Sequence, residues 1–195
     1  MSTFKSLLGA VAICLTFIGY IPYLRSILYG KTVPHVFSWL IWLLNDCLIF
    51  ALQITHGAGV GSFVILSAGI LSIAVLILTV RKQRKQDITI SDILFSVIAL
   101  FALVVWIFAK KPLLSTLLII SVDLFALAPT IRKSWHKPHS ENATFYAIHS
   151  IRFVLTLLAL QSYTLITALH PIVWLLVNGL FALMLVFRRK KIKVL

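Results

Sequence analysis

The chain contains seven apolar segments, and each is close to the length of about 20 residues that a helix needs to cross a bilayer. A bilayer core offers no hydrogen-bond partner to an exposed backbone, so a chain crosses it only as helices or as a closed barrel. Continuous apolar runs of this length exclude the alternating strands of an outer-membrane barrel. The sequence therefore predicts an all-α integral membrane protein with seven transmembrane helices, at residues 7–28, 36–55, 60–80, 90–109, 112–131, 143–166 and 171–187.

Composition excludes the two main alternatives to a membrane protein. Of the 195 residues, 61% are hydrophobic and 12% are charged. A soluble domain of this composition lacks the polar side chains that must face water, and a disordered chain needs the opposite balance. The two cysteines, Cys14 and Cys47, lie inside apolar segments, so we expect neither a disulfide framework nor a zinc site with cysteine ligands.

Lysine and arginine outnumber aspartate and glutamate by 18 to 5, and they are distributed unevenly across the predicted membrane. Only Lys5, Lys110 and Lys111 fall on one side. The other side holds Arg25, Lys31, Arg81, Lys82, Arg84, Lys85, Arg132, Lys133, Lys137, Arg188, Arg189, Lys190, Lys191 and Lys193. Since cytoplasmic loops carry an excess of basic residues, the N-terminus is predicted outside and the C-terminus in the cytoplasm, as in a bacterial inner membrane. This basic face favours contact with anionic lipid headgroups and not with nucleic acid.

Landmarks in the first three segments recur in the last three at a nearly constant separation. The pairs are Pro22 with Pro129 and Arg25 with Arg132, both 107 residues apart, and Gly69 with Gly179, 110 apart. Their common order predicts an internal duplication. We therefore divide the chain into a first three-helix repeat at 1–85, a linker helix at 86–110 and a second three-helix repeat at 111–195. The linker restores the orientation of the second repeat, so the two repeats are expected to be parallel and related by a twofold axis along the membrane normal.

This plan and one motif resemble the PQ-loop and SWEET transporter superfamily, whose members use three-helix units as dimers or duplicated around a linker helix. The family motif is a proline followed by glutamine near the cytoplasmic end of the first helix of each unit. The matching stretches here are GYIPYLRSILYGKTVPHVFSWLIW and ALAPTIRKSWHKPHSENATFY, in which Tyr23 and Thr130 replace the glutamine. A similar vitamin-transporter branch runs with the opposite orientation, which the charge distribution disfavours. The resemblance implies a transporter, although the same helical plan also serves a cargo receptor.

Three ionisable residues, Asp46, Asp123 and Arg152, fall near the middle of predicted spans. A charged side chain at mid-membrane costs about 2.5 to 3.5 kcal/mol on insertion scales, so each needs an explanation. Arg152 can pair with one of the aspartates to hold the two halves together, and the sequence does not select which one. One carboxylate is then left over. It is expected to serve either in proton coupling or as a protonated link between helices.

Aromatic and polar side chains form one stripe along the second segment and a matching stripe along the sixth. The stripes are Trp39, Trp42, Asn45 and Asp46, at i, i+3, i+6 and i+7, and, at the 107-residue offset, Tyr146, His149 and Arg152. Facing stripes would line a central cavity, with flat rings for a ring-bearing solute and polar groups for its hydroxyls or charges. Helix packing is the alternative explanation for the rings, and an interhelical hydrogen bond for His149.

The resemblance also implies a substrate-binding asparagine, which we match to Asn178 in the last segment. The corresponding position in the third segment is Ser67 or Gly69, not asparagine. A paired asparagine site is therefore only half present. Together with the mid-membrane charges, this favours a polar, zwitterionic or proton-coupled solute over a simple sugar.

Two prolines are expected inside helices, and three at helix starts. Pro22 and Pro129 each free a carbonyl one turn earlier, so they are candidate hinges between outward-open and inward-open shapes, with static kinks as the alternative. Pro34, Pro112 and Pro171 are predicted at helix starts, where proline is tolerated.

The predicted function is transport of a small polar solute by alternating access, with a site at mid-membrane between the two repeats. The alternative is a receptor or scaffold of the same fold, which would need solvent access from one side only. An enzyme is not predicted, because the sequence shows no zincin helix, serine elbow or paired catalytic carboxylates on one helix. No cofactor or metal site is expected, since His136 and His139 have only Glu141 as a nearby carboxylate.

Overall fold

The computed structural model describes residues 2–32, 34, 36–81 and 111–192, with isolated positions between 90 and 108. Over these residues the protein is all-α, which confirms the predicted class, and none of them lies in a strand. Single turns of 3₁₀ helix, Gly59–Gly61 and Pro138–Ser140, precede α3 and α5. The helices are α1 (Ser2–Leu28), α2 (Val36–Thr55), α3 (Ser62–Arg81), α4 (Pro112–His136), α5 (Ala143–Ala159) and α6 (Leu165–Lys191).

Five of these described helices, α1, α2, α3, α4 and α6, are long and apolar enough to cross a membrane, while α5 has only 17 residues. Large apolar side chains such as Phe4, Phe63, Phe125 and Phe187 are exposed on their outer faces. An exterior of this kind is suited to lipid and not to water. These observations support an integral membrane protein.

The predicted linker helix at 90–109 falls largely outside the described residues, as do Lys82, Arg84, Lys85, Lys110 and Lys193. The isolated positions described between 90 and 108 are helical. One of them, Ile98, packs on Ile41 of α2 and Val122 of α4. The count of seven transmembrane helices stays a prediction.

The boundary between the last two helices differs from the predicted one. α5 ends at Ala159 and α6 begins at Leu165, where the sequence predicted segments at 143–166 and 171–187. A capping box sets this start: Thr164 Oγ1 accepts from the Thr167 N–H, and Thr167 Oγ1 accepts from the Thr164 N–H. The expectation that Pro171 stands at a helix start is therefore wrong, because Pro171 lies inside α6.

The helices pack in two groups of three with the same internal order. α3 packs against both α1 and α2, and α6 packs against both α4 and α5. Between the groups, α1 packs on α5 and α2 packs on α4. Exchanging the two groups helix for helix leaves this pattern unchanged, as a twofold relation between them would require.

Two glycines at equivalent places let neighbouring helices approach closely. A Cβ atom on Gly69 of α3 would lie 3.3 Å from the Asp46 Cβ of α2, and one on Gly179 of α6 would lie 3.1 Å from the Ser150 Oγ of α5. Larger side chains at these positions would push the second and third helices of each group apart. The predicted Gly69 and Gly179 pair thus has the same packing role in both groups.

The two ends of the bundle are closed by different contacts. At one end an aromatic cluster, which we define as Tyr20, Tyr23, Trp39, Phe145 and Tyr146, packs with the apolar residues around it. Its ring centroids lie 4.6 to 6.0 Å apart in the pairs that touch. At the opposite end, which we call the turn end, the turn before α3 meets the turn before α6, and the Gln161 N–H donates to the Ala58 carbonyl at 3.1 Å.

A buried hydrogen bond near the turn end compensates for the proline inside α6. Pro171 has no N–H, so the carbonyl of Thr167, one turn earlier, lacks its helical partner. Gln53 of α2, which is 1% exposed, donates its Nε2 to this carbonyl at 3.0 Å. The bond links the two groups of helices and satisfies a backbone oxygen that the apolar interior would otherwise leave unpaired.

Replacing Gln53 with leucine is expected to leave the Thr167 carbonyl unpaired and to lower the free energy of unfolding by about 1 to 3 kcal/mol. Replacing Pro171 with alanine restores the N–H that this carbonyl would bond in an uninterrupted helix. The loss caused by Gln53→Leu should therefore be smaller in the Pro171→Ala background, as measured by a double-mutant cycle on unfolding in detergent. Equal losses in both backgrounds would contradict this role of Gln53.

Candidate functional site

A cavity of about 70 Å³ lies between the two groups of helices and receives residues from all six described helices. One buried water needs about 10 to 15 Å³, so the cavity admits a few waters or a small solute. It is smaller than the roughly 300 Å³ at which pockets for drug-sized ligands begin, so a larger solute needs the helices to separate. Its polar lining residues are Asp46, Ser72, His149, Arg152, His170 and Asn178.

Asp123 of α4 lies beside this cavity, and other side chains occupy both of its oxygens. Oδ1 accepts a hydrogen bond from Asn45 Nδ2 at 2.7 Å, and Oδ2 accepts one from the Trp174 indole N–H at 3.4 Å. His170 Nε2 lies 3.6 Å from the same Oδ2. The carboxylate thus joins α4 to α2 and α6, so it is a structural centre between the groups of helices.

Arg152 of α5 is buried, and its guanidinium makes few polar contacts. Nη1 donates a long hydrogen bond of 3.5 Å to Thr16 Oγ1 of α1, and the guanidinium lies 4.1 Å from the Phe153 ring centroid. Nε has no hydrogen-bond partner. The predicted pairing of Arg152 with Asp46 or Asp123 is not observed, because within the described part of the chain the only ion pair within 4 Å involving these three is that of Asp123 with His170.

Asp46 faces the cavity from α2, one residue after Asn45. Its side chain packs against Gly69, where the absence of a Cβ makes room for it. The carboxylate and the Arg152 guanidinium line the same cavity, and within the described residues no ion pair within 4 Å joins them. Of the two predicted aspartates, Asp46 is therefore the one in the cavity lining, where the Ser72 hydroxyl is its hydrogen-bonding neighbour.

The hydrogen bonds of Arg152 and Asp123 occupy equivalent places in the two groups of helices. Thr16 contacts Arg152 between α1 and α5, and Asn45 contacts Asp123 between α2 and α4. The 107-residue offset set by the proline and arginine landmarks relates Thr16 to Asp123 and Asn45 to Arg152. One polar contact between the groups thus corresponds to the other, although its residues differ.

The predicted aromatic stripes divide between the aromatic cluster and the cavity. Trp39 and Tyr146 belong to the cluster, and the Tyr146 hydroxyl donates to Glu141 at 3.4 Å. Trp42 packs edge-on against Trp174 at 6.3 Å between centroids, and its indole N–H has no partner. All four of these rings, those of Trp39, Trp42, Tyr146 and Trp174, also line the cavity.

His149 packs on the Phe145 ring, with centroids 4.1 Å apart. Its Nδ1 lies 2.8 Å from the Phe145 carbonyl oxygen, so Nδ1 carries the proton and donates to that oxygen. Its Nε2, in the wall of the cavity, has no partner. In the neutral ring this nitrogen is a hydrogen-bond acceptor that a solute can use.

Asn178 lines the cavity, but its Nδ2 donates to the Trp174 carbonyl of its own helix at 2.7 Å. The predicted hinge Pro22 lies inside α1, between Tyr20 and Tyr23 of the aromatic cluster in the chain. Pro129 lies inside α4, and its side chain is outside the described part of the structure. A bend at Pro22 would act directly on the cluster.

Two residues of the site, His170 and Trp174, were missed by the sequence interpretation. They share one face of α6 with Asn178 at i, i+4 and i+8. With the helix predicted to begin at Pro171, His170 fell in a loop and the stripe was not recognised. The capping pair Thr164 and Thr167 was the sequence signal for the earlier start.

The fold and the site define a helical membrane protein with a buried, charged cavity. Among the described residues, no group of three or more His, Cys, Asp and Glu side chains is placed to hold a metal ion. Comparison of the chain with protein families, with curated proteins and with solved structures found no match. The chemistry of the cavity is therefore the main indication of function.

Trp174→Phe should lower the free energy of unfolding by about 1 to 2 kcal/mol more than Trp42→Phe does, because only the Trp174 indole donates to a buried carboxylate. Both substitutions make the same change in ring size at the cavity wall, so the second is a matched control. Unfolding of the purified protein in detergent measures the difference. Equal losses would show that the hydrogen bond to Asp123 contributes nothing.

Proposed function

We propose that the protein is a transporter of a small polar solute, which binds at mid-membrane between the two groups of helices and crosses by alternating access. The observation that carries this proposal is the cavity, where charged groups from both halves meet at the interface between them. Transporters built from repeated units bind their solutes at such an interface. The resemblance to PQ-loop and SWEET proteins, and the equivalent packing of the two groups, support the same function.

The cavity wall contains polar atoms that find no hydrogen-bond partner among the described residues. They are Trp42 Nε1, His149 Nε2, Arg152 Nε and His170 Nδ1. Buried polar atoms are nearly always hydrogen-bonded, and an unpaired one costs about 1 to 3 kcal/mol. Several of them around one cavity favour a polar occupant that supplies the missing bonds.

Different contacts close the two ends of the bundle, so the cavity can open at one end at a time. Aromatic rings close one end, and the turn contacts with the Gln53 bond close the other. Separation at one end would open the cavity to that side while the other end stays packed. Pro22 precedes Tyr23 of the aromatic cluster in α1 and Pro171 lies beside the turn end, so each end has a proline at which a helix can bend.

In proteoliposomes, we expect labelled counterflow of at least one solute from a panel of amino acids, sugars, nucleosides and vitamins. Asp46→Asn and Arg152→Gln should each lower the rate at least tenfold, because both remove a charge from the cavity. Cys47→Ala is the matched control, since Cys47 follows Asp46 directly but is exposed on the outer face. Its rate should equal that of the wild type.

Charge movement at two pH values, recorded on the same vesicles, tests whether Asp46 couples the flux to protons. Counterflow detects electroneutral exchange as well, so silence in both measurements across the panel would reject transport. The receptor or scaffold function with the same fold would then take its place. Access to the cavity from one side of the membrane alone would agree with that outcome.

The charge distribution supports an N-terminus outside the cell and a C-terminus in the cytoplasm, with the basic face on anionic headgroups. In a protein without native cysteines, Tyr163→Cys at the turn end should react with a membrane-impermeant maleimide in intact cells. Lys191→Cys should react only after permeabilisation. Both positions are exposed, so burial does not explain a difference. The reverse labelling would overturn the orientation.

A further inference from the structure

We propose that the solute is a small zwitterion, with its cationic group at Asp46 and its anionic group at Arg152. This inference rests on the proposed transport function and names the class of solute that the cavity recognises. The two side chains come from α2 and α5, line the same cavity and make no ion-pair contact within 4 Å of each other. Opposite charges held apart in an interior of low dielectric are stabilised by a molecule that places a complementary charge at each.

The anionic end of the solute is assigned to Arg152. This guanidinium is 2% exposed, and among the described residues its Nε has no partner and its only side-chain hydrogen bond is the 3.5 Å contact with Thr16. A planar guanidinium presents several donors in a fork that matches a carboxylate. The unpaired indole N–H of Trp42 adds a donor in the same cavity.

The cationic end is assigned to Asp46 because the other carboxylate is already occupied. Asp123 accepts hydrogen bonds from Asn45 and Trp174 and pairs with His170, so it offers no free oxygen to a solute. The rings of Trp39 and Trp42 line the cavity on the helix that carries Asp46. Aromatic faces attract a cation by a further interaction of about 0.5 to 2 kcal/mol.

Solutes of other charge types satisfy this cavity less well. A neutral sugar brings no complementary charge to Asp46 or to Arg152, and a simple amine or acid brings one to only one of them. A site built around buried charged groups discriminates strongly against a ligand that lacks the matching group. The volume of about 70 Å³ further favours a small molecule in the closed form.

The first test is ligand binding by the intact protein in detergent, measured by thermal shift and calorimetry. The panel contains α-amino acids and betaine, each amino acid being compared with its decarboxylated amine and its deaminated acid, and glucose is the neutral probe. At least one zwitterion should bind tenfold or more tightly than both of its singly charged analogues and glucose. Tighter binding of glucose or of a singly charged analogue would overturn the proposal, as would no binding by any zwitterion.

The variants assign the two ends of the solute. In Asp46→Asn, the preference for the amino acid over its deaminated acid should fall to about threefold or less. In Arg152→Gln, the preference for the amino acid over its decarboxylated amine should fall by the same extent. If Asp46→Asn instead lowered the preference over the amine, and Arg152→Gln the preference over the acid, the assignment of the two ends would be overturned. Cys47→Ala should keep the wild-type preferences. If a variant does not fold, the analogue series on the wild-type protein still decides the solute class.

Counterflow of the same compounds separates this inference from transport itself. A zwitterion that binds to the protein but shows no counterflow would overturn the proposed transport function and leave the proposed solute class intact. Exchange of glucose without exchange of any zwitterion would support the proposed function and overturn this solute class. Exchange of the zwitterion, with loss in Asp46→Asn and Arg152→Gln, would support both.

Discussion

Buried charge is the constraint on which the rest of this structure depends. Asp123 is 2% exposed, and a carboxylate at that depth is stable only with hydrogen bonds from its surroundings. Those bonds come from Asn45 on α2 and Trp174 on α6, with His170 of α6 beside them. Because one side chain needs partners on two other helices, it fixes three helices relative to one another in a bundle whose remaining contacts are mainly apolar and non-directional.

The same requirement acts on the backbone near the turn end. Pro171 removes a donor from α6, and Gln53 on α2 provides a substitute for it. A glutamine in an apolar helix is costly unless it has such a partner, and a proline inside a membrane helix is tolerated when a neighbour re-forms the bond. Each of these two residues therefore explains the presence of the other. Their contact makes the turn end polar and directional, whereas the aromatic cluster at the opposite end is held mainly by contacts between rings.

The fold class follows from the sequence because lipid allows few alternatives to a helix. Apolar composition does not mark where a helix ends within a long apolar region. For that reason the sequence predicts neither the end of α5 at Ala159 nor the start of α6 at Leu165, and it wrongly places Pro171 at a helix start. Local hydrogen bonds at Thr164 decided that boundary, and such bonds leave a fainter trace in the sequence than hydrophobicity does.

In the candidate site too, the sequence predicts which residues face the interior but not which partners they bind. Asp46, Trp42, His149, Arg152 and Asn178 lie in the cavity wall, because polar residues on apolar helices face the interior of a bundle. The partners of each charge depend on helix order and register, which the sequence alone does not fix. Asp123 thus has His170 as its partner in place of arginine, and Asn178 bonds to its own helix.

The two polar contacts between the halves have different residues at equivalent positions, and this difference determines which halves bring charges together. Thr16 corresponds to Asp123 and Asn45 to Arg152, so a bundle of two second halves would set Asp123 of each copy against Arg152 of the other, in two self-neutralising pairs. A bundle of two first halves would set Thr16 against Asn45 and bring no charge to either contact. Only the unlike combination places each ion opposite a neutral partner, at Thr16 and at Asn45. The Arg152 guanidinium therefore meets a neutral partner at this contact because the residues at equivalent positions of the two halves differ.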